Sequence, residues 1–89
     1  MMNEQQLEQV IAYVATQGLS EVTLTQLKQQ YPDWHYTYAF DDDMGAAMPV
    51  RERADFNVYL VDSSDHCAQL TRQIENATGV VFAEIAAEW

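Results

Sequence analysis

The stretch HYTYAFDDDMGAAMPVRER, residues 35–53, joins an alternating aromatic segment to three aspartates, a loop of small residues and two arginines. Aromatic residues alternate with small or polar ones over residues 34–41, and this period of two predicts a β-strand. The aromatic face of that strand would comprise Trp34, Tyr36, Tyr38 and Phe40. The main functional question of this stretch is whether its aspartates bind a cation or pair with the arginines across a hairpin.

Two helices are predicted before this strand. In the first, apolar residues spaced i, i+3, i+4 and i+7 indicate an amphipathic helix that ends at Gly18. The second is short, with a capping box of Thr23 and Gln26 at its start and Pro32 at its end. The inward stripe of the first helix is Leu7, Val10, Ile11 and Val14.

Two more strands are predicted after the loop, over residues 56–62 (FNVYLVD) and 80–86, the latter introduced by Gly79. A third helix is predicted between them, over residues 65–77. Its inward stripe would comprise Cys67, Leu70, Ile74 and Ala77.

The predicted fold class is therefore α+β, in the order ααββαβ. The 89 residues are enough for one small domain, residues 1–89, with a helical part over about 3–31 and the sheet and third helix over about 34–88. A loop joins the first two strands, so we expect an antiparallel hairpin. A right-handed β-helix-β crossover would make the second and third strands parallel. Whether the third strand lies beside the second or the first stays open.

The charge balance restricts the partners. Fourteen acidic residues against four basic ones give a net charge of −10, which disfavours nucleic acid and anionic membranes. We expect neutral or basic protein partners, or cations. The single cysteine and the N-terminus MMNEQQLEQV, which has no signal-peptide features, predict a cytoplasmic protein.

The aspartate triplet allows two interpretations. In a hairpin, Arg51 and Arg53 would return opposite Asp41 and Asp43 and neutralise them as structural ion pairs. The alternative is a cation site, although the triplet lacks the alternating ligand order of a calcium loop. The ionic hairpin explains both charge clusters with one geometry and is favoured.

His66 and Cys67 could extend the alternative to a metal-binding or metal-delivery protein that uses Asp41, Asp43, His66 and Cys67. Adjacent helical residues diverge by ~100°, so the His–Cys pair closes poorly on one metal ion. Cys67 also falls on the apolar stripe of the predicted third helix, which favours an inert buried thiol.

Protein–protein contact is the function we favour from the residues. The strands are apolar on both faces, and three helices in so small a domain could leave one face uncovered, as a contact surface for another protein or for a homodimer. No catalytic motif is present, so we expect neither an enzyme nor a cofactor. The candidate partner-binding residues are Met44, Met48, Tyr59 and Phe82.

Four segments, HYTYAFDDDMGAAMPV, FNVYLVD, HCAQLTRQI and ATGVVFAEI, resemble a family of small proteobacterial proteins of unknown function, some encoded among nitrogen-fixation genes. The resemblance covers most of the chain from Leu19 onward. It implies a cytoplasmic accessory protein near metallocluster enzymes, and it assigns no catalytic or ligand residue.

Overall fold

The structure, a computed structural model, describes residues 3–63 and 69–85. Two helices come first in these residues, α1 (Glu4–Gln17) and α2 (Glu21–Gln30). The strands are β1 (His35–Phe40), β2 (Arg51–Glu52), β3 (Phe56–Asp62), β4 (Gln69–Thr71) and β5 (Gly79–Glu84). Two 3₁₀ turns, Asp41–Met44 and Ile74–Asn76, lie between strands.

Both helices begin at side-chain caps. The Asn3 carboxamide oxygen accepts a hydrogen bond from the Gln6 amide at 2.8 Å, which satisfies one of the open N–H groups of α1. The predicted capping box at Thr23 was wrong, because α2 begins one turn earlier: Ser20 accepts from the Thr23 amide at 3.2 Å. The Thr23 hydroxyl instead donates to the Gly18 carbonyl oxygen at 2.7 Å.

The five strands form one mixed sheet. Its order is β1-β5-β3-β2, and β4 also pairs with β3. β1 is parallel to β5, whereas β3 is antiparallel to β5, to β2 and to β4. The prediction of an α+β fold with two leading helices and a mixed sheet is therefore confirmed, but within residues 3–63 and 69–85 the sheet has five strands rather than three.

The predicted strand pairings were wrong. β5 lies between β1 and β3, so the first two predicted strands run antiparallel without touching as a hairpin. β3 and β5 are antiparallel, which excludes the predicted right-handed parallel crossover between them. The third predicted strand lies beside both of the others, because its side chains are apolar on both faces and suit the centre of the sheet.

The third predicted helix, residues 65–77, was wrong over residues 69–77, where β4 and the second 3₁₀ turn lie; residues 64–68 are outside the described part. Local side-chain bonds compete with a helix here. The Gln73 amide donates to the Thr71 hydroxyl oxygen at 3.1 Å, and the Asn76 carboxamide donates to the Gln73 side chain at 2.6 Å.

The main core lies between the two helices and one face of the sheet. The Phe82 ring, from β5, is fully buried and packs edge-to-face against Phe56 of β3, with ring centroids 5.7 Å apart. The buried residues of this core are Leu7, Val10, Ile11, Val14, Leu24, Leu27, Trp34, Phe56, Val58, Leu60, Ala77, Val80 and Phe82.

The loop after β1 covers part of the other sheet face. Tyr59, Val81 and Ala83 form a small buried cluster there. Met44 and Ala47 pack against it. The sequence predicted that one face of the sheet could be left uncovered, and a loop of small residues covers part of this face. No helix in residues 3–63 and 69–85 is long and apolar enough to cross a membrane.

Candidate functional site

A groove of about 630 Å³ runs between α2 and the outer edge of β1. The spacing i, i+3, i+4 and i+7 brings one stripe of α2 to this groove. The lining residues are Glu21, Leu24, Thr25 and Lys28 from α2 and His35, Tyr36, Thr37 and Tyr38 from β1.

The β1 edge presents main-chain hydrogen-bonding groups to the groove. The His35 amide points toward β5, since it donates to the Thr78 carbonyl oxygen at 3.2 Å. Successive residues of a strand direct their N–H and C=O groups to opposite sides, so those of Tyr36 and Tyr38 point away from β5. Within the described residues, no strand pairs with β1 on that side. The edge therefore offers a template for another strand.

The two ends of the groove differ in charge. Lys28 lies toward one end, where its ammonium donates to the main-chain oxygens of Pro32 at 3.0 Å and Trp34 at 2.8 Å. Glu21 lies about two turns away on the same stripe, at the start of α2. The Lys28 charge is thus partly satisfied by carbonyl dipoles, whereas the Glu21 carboxylate remains to attract a positive group.

The two tyrosines of the groove are neutral hydrogen-bond donors. The Tyr36 hydroxyl donates to the Tyr31 carbonyl oxygen at 3.0 Å, and burial raises the pKa of Tyr36. The Tyr38 hydroxyl donates to the Glu84 carboxylate, and this bond raises the pKa of Tyr38, with a smaller contribution from the charge of Glu21. Both phenols therefore stay protonated at neutral pH, and two carboxylates lie near Tyr38.

A second depression of about 510 Å³ continues the groove beyond Tyr38. It shares Glu21 and Tyr38 with the first depression and is flanked by two exposed apolar side chains, Val22 (68% exposed) and Phe40 (51% exposed). We call the two depressions together the α2–β1 groove. It combines a main-chain edge, an acidic end and apolar contacts.

The predicted aspartate site is different in the structure. One Asp41 carboxylate oxygen, Oδ1, accepts hydrogen bonds from the Asn57 carboxamide and from the Tyr59 hydroxyl, each at 2.9 Å. Burial and this bond raise the pKa of Tyr59. Asp42 and Asp43 are exposed in the 3₁₀ turn. Asp41 therefore holds the loop onto the sheet.

The metal alternative gains no support from the part of the chain that the structure describes. In residues 3–63 and 69–85, no three His, Cys, Asp or Glu side chains are grouped as metal ligands. Two of the predicted ligands, His66 and Cys67, lie outside those residues. The ligand set of Asp41, Asp43, His66 and Cys67 therefore stays a prediction.

The predicted ion pairs between Asp41 or Asp43 and the two arginines were wrong. Arg51 contacts Glu8 of α1 at 2.5 Å (Nε to Oε2), and Arg53 contacts the other Glu8 oxygen at 3.2 Å. The sheet order explains this, because β1 and β2 are at opposite edges and the aspartates follow β1. The guanidinium groups connect the β2 edge to α1.

Acid should weaken this connection. The hydrogen bond from Arg51 holds the pKa of Glu8 below its ordinary value of 4.5. The pairs therefore contribute their full stability above pH 4.5, and the contribution is lost as pH falls through the lower, folded-state pKa. We expect Glu8→Gln to cost up to about 1 kcal/mol near neutral pH, since the pair is partly exposed to solvent and is screened.

Chemical denaturation of the wild type and Glu8→Gln over a pH series measures this difference. The two stabilities should converge below pH 4.5 and approach each other in high salt. Asp43→Asn serves as the control, since the exposed Asp43 takes no part in the Arg51 contacts. A larger salt-dependent loss in Asp43→Asn than in Glu8→Gln would contradict the assignment.

The predicted partner-binding residues have separate locations. Phe82 is fully buried and Tyr59 is 4% exposed, so neither ring is available as a contact surface; this part of the prediction was wrong. Met44 packs on the second cluster, whereas Met48 is 65% exposed. Met48 lines a small depression of about 310 Å³ together with Ala47, Tyr59, Leu70, Thr71 and Arg72.

The α2–β1 groove was not predicted from the sequence. Glu21, Thr25 and Lys28 recur at i, i+4 and i+7, a polar stripe that reads as an ordinary solvated helix face. This polar stripe lines a groove only because β1 is an edge strand and α2 lies along it.

A profile of the family described as "Family of unknown function (DUF6129)" matches residues 9–85. No curated protein and no solved structure has significant similarity to the chain.

Proposed function

The chain belongs to this family of unknown function, so no activity comes to it from relatives, and we propose that it is a non-catalytic interaction domain that binds another protein in the α2–β1 groove. The observation that carries the proposal is the groove of about 630 Å³ alongside an open strand edge. Helix-and-edge grooves suit extended protein segments, because main-chain bonds supply affinity and side-chain pockets supply selectivity.

The composition of the groove favours binding over catalysis. Its phenols are held neutral by burial and by acceptors. The ammonium group of Lys28 donates to two main-chain carbonyl oxygens of the protein itself. These phenols and this ammonium group suit the positioning and recognition of a ligand rather than proton transfer at neutral pH.

We propose a cytoplasmic location from the cysteine content, and an accessory role near nitrogen-fixation or other metallocluster enzymes from the family resemblance. We also propose that the domain works without a cofactor. The partner's surface would be neutral or basic, since the chain carries a net charge of −10.

The groove can be tested with random peptides displayed on phage and selected against the purified domain. In Thr25→Trp, the indole would fill the groove, and we expect binding of selected peptides to weaken about tenfold or more. Thr25 is exposed and Thr and Trp have similar helix propensities, so folding should change by less than about 0.5 kcal/mol.

Gln30→Trp is the matched control. Gln30 is exposed on the same helix, about 140° around the helix axis from Thr25, and does not line the groove. Its affinity for the selected peptides should equal that of the wild type. Equal binding by Thr25→Trp and wild type, or a selection that yields no binders, would contradict the proposed function.

A further inference from the structure

The proposed function leaves the nature of the bound segment open. Resting on that function, we infer that the occupant of the α2–β1 groove is a basic, extended protein segment that joins the sheet as an additional strand beside β1. Two independent features lead to this inference, the main-chain geometry of the edge and the distribution of charge around it.

The main-chain geometry favours an added strand. β1 is six residues long and pairs with β5 along its whole length, from His35 with Gly79 to Phe40 with Glu84. The N–H and C=O groups of Tyr36 and Tyr38 point to the groove, at the spacing of a β ladder. An extended segment satisfies these groups by pairing, whereas a helix cannot, because its own N–H and C=O groups are already bonded.

The charge favours a basic segment. Glu21 lines both depressions of the groove. Tyr38 also lines both, and its hydroxyl donates to the Glu84 carboxylate. Two of the four basic residues of the chain, Arg51 and Arg53, bind Glu8 at the opposite edge of the sheet. The basic residue that lines the groove, Lys28, donates to the main-chain oxygens of Pro32 and Trp34 toward the other end. An incoming lysine or arginine therefore meets two carboxylates at the Tyr38 end, and neither forms an ion pair within the described residues.

The same charge disfavours a second copy of the chain as the occupant. Two chains of net charge −10 would repel each other as they approach. A basic partner converts this repulsion into attraction that accelerates association.

Two synthetic peptides with blocked ends test the inference by fluorescence titration: one alternates Lys and Val, the other Glu and Val. We expect the Lys–Val peptide to bind at low salt, to weaken as salt rises, and to lose about tenfold or more in Thr25→Trp but not in Gln30→Trp. Glu21→Gln should weaken it about two- to fivefold. The Glu–Val peptide should not bind.

N-methylation of alternate peptide amides tests strand addition. Only one of the two alternating sets faces β1, so one set should weaken binding about three- to tenfold for each lost bond and the other should leave it unchanged. Equal effects of the two sets would overturn strand addition. Equal binding of the Glu–Val peptide would overturn the basic segment.

The remaining outcomes separate the inference from the proposed function. If displayed peptides bind in a Thr25→Trp-sensitive way but the Lys–Val peptide does not, the inference fails and the groove keeps its role. If light scattering shows a dimer that Thr25→Trp dissociates, a second copy occupies the edge and the inference is overturned. If nothing binds in a Thr25→Trp-sensitive way, both fail.

Discussion

Phe82→Ala should lower the free energy of unfolding by about 3–5 kcal/mol, the usual cost of truncating a fully buried phenylalanine. The ring lies on a central strand, is completely buried and packs edge-to-face on Phe56. A domain of this size has a total stability of roughly 4–13 kcal/mol, so the variant should lose much of it. Urea denaturation followed by circular dichroism measures the loss.

Phe40→Ala is the matched control for this substitution. Phe40 is an aromatic residue of the edge strand, 51% exposed, whose ring meets Tyr38 edge-to-face at 5.7 Å. We expect a loss of only about 0.5–1.5 kcal/mol. We expect Phe82→Leu to remain folded and to lose an amount of unfolding free energy between those of Phe40→Ala and Phe82→Ala. A stable Phe82→Ala that fails only in partner binding would restore Phe82 as a contact residue and contradict the observed core.

Gly79→Ala should cost about 1–3 kcal/mol, the range for an added methyl group in a tightly packed position. A Cβ at this residue would lie 2.9 Å from the His35 carbonyl oxygen and 3.2 Å from the His35 Cβ. β5 would have to move away from β1, although it also pairs with β3 through Gly79 and Val61. Thermal and urea denaturation measure the effect.

The double variant His35→Ala/Gly79→Ala distinguishes a main-chain clash from a side-chain clash. Alanine keeps both the carbonyl oxygen and the Cβ of His35, so the two single losses should add to within about 0.5 kcal/mol. Rescue of Gly79→Ala by His35→Ala would show that the imidazole ring is the obstacle. Such a rescue would contradict the close approach of the two strands.

Local patterns predicted most of the elements well. The strand predicted over residues 56–62 is β3, Phe56–Asp62, and the one predicted over 34–41 contains β1, His35–Phe40. The inward stripe of α1 is buried as predicted. These predictions succeed because side chains a few residues apart already determine which face of a helix or strand can be buried. The sequence predicts only that Gly79 introduces a strand. Its close contact with His35 is not predictable locally, because it depends on the strand order.

The helix predicted over residues 65–77 failed where a local pattern misled. Leu70, Ile74 and Ala77 have helical spacing, but Leu70 lies in β4 and is 45% exposed. The carboxamides and hydroxyls of the same segment bind the chain locally, and β3 offers a strand partner. Pairing with a strand outweighed the weak preference of a short segment for a helix.

From the amino-acid sequence alone follow the α+β class, the two leading helices, three of the strands and the strongly acidic character of the protein. Only the tertiary structure decided that β5 lies between β1 and β3, that Arg51 pairs with Glu8 rather than with the aspartates, and that α2 and β1 form a groove. Periodicity and composition are properties of neighbouring residues or of the whole chain. Strand order and ion pairing depend on which distant residues meet, and Glu8 and Arg51 are 43 positions apart.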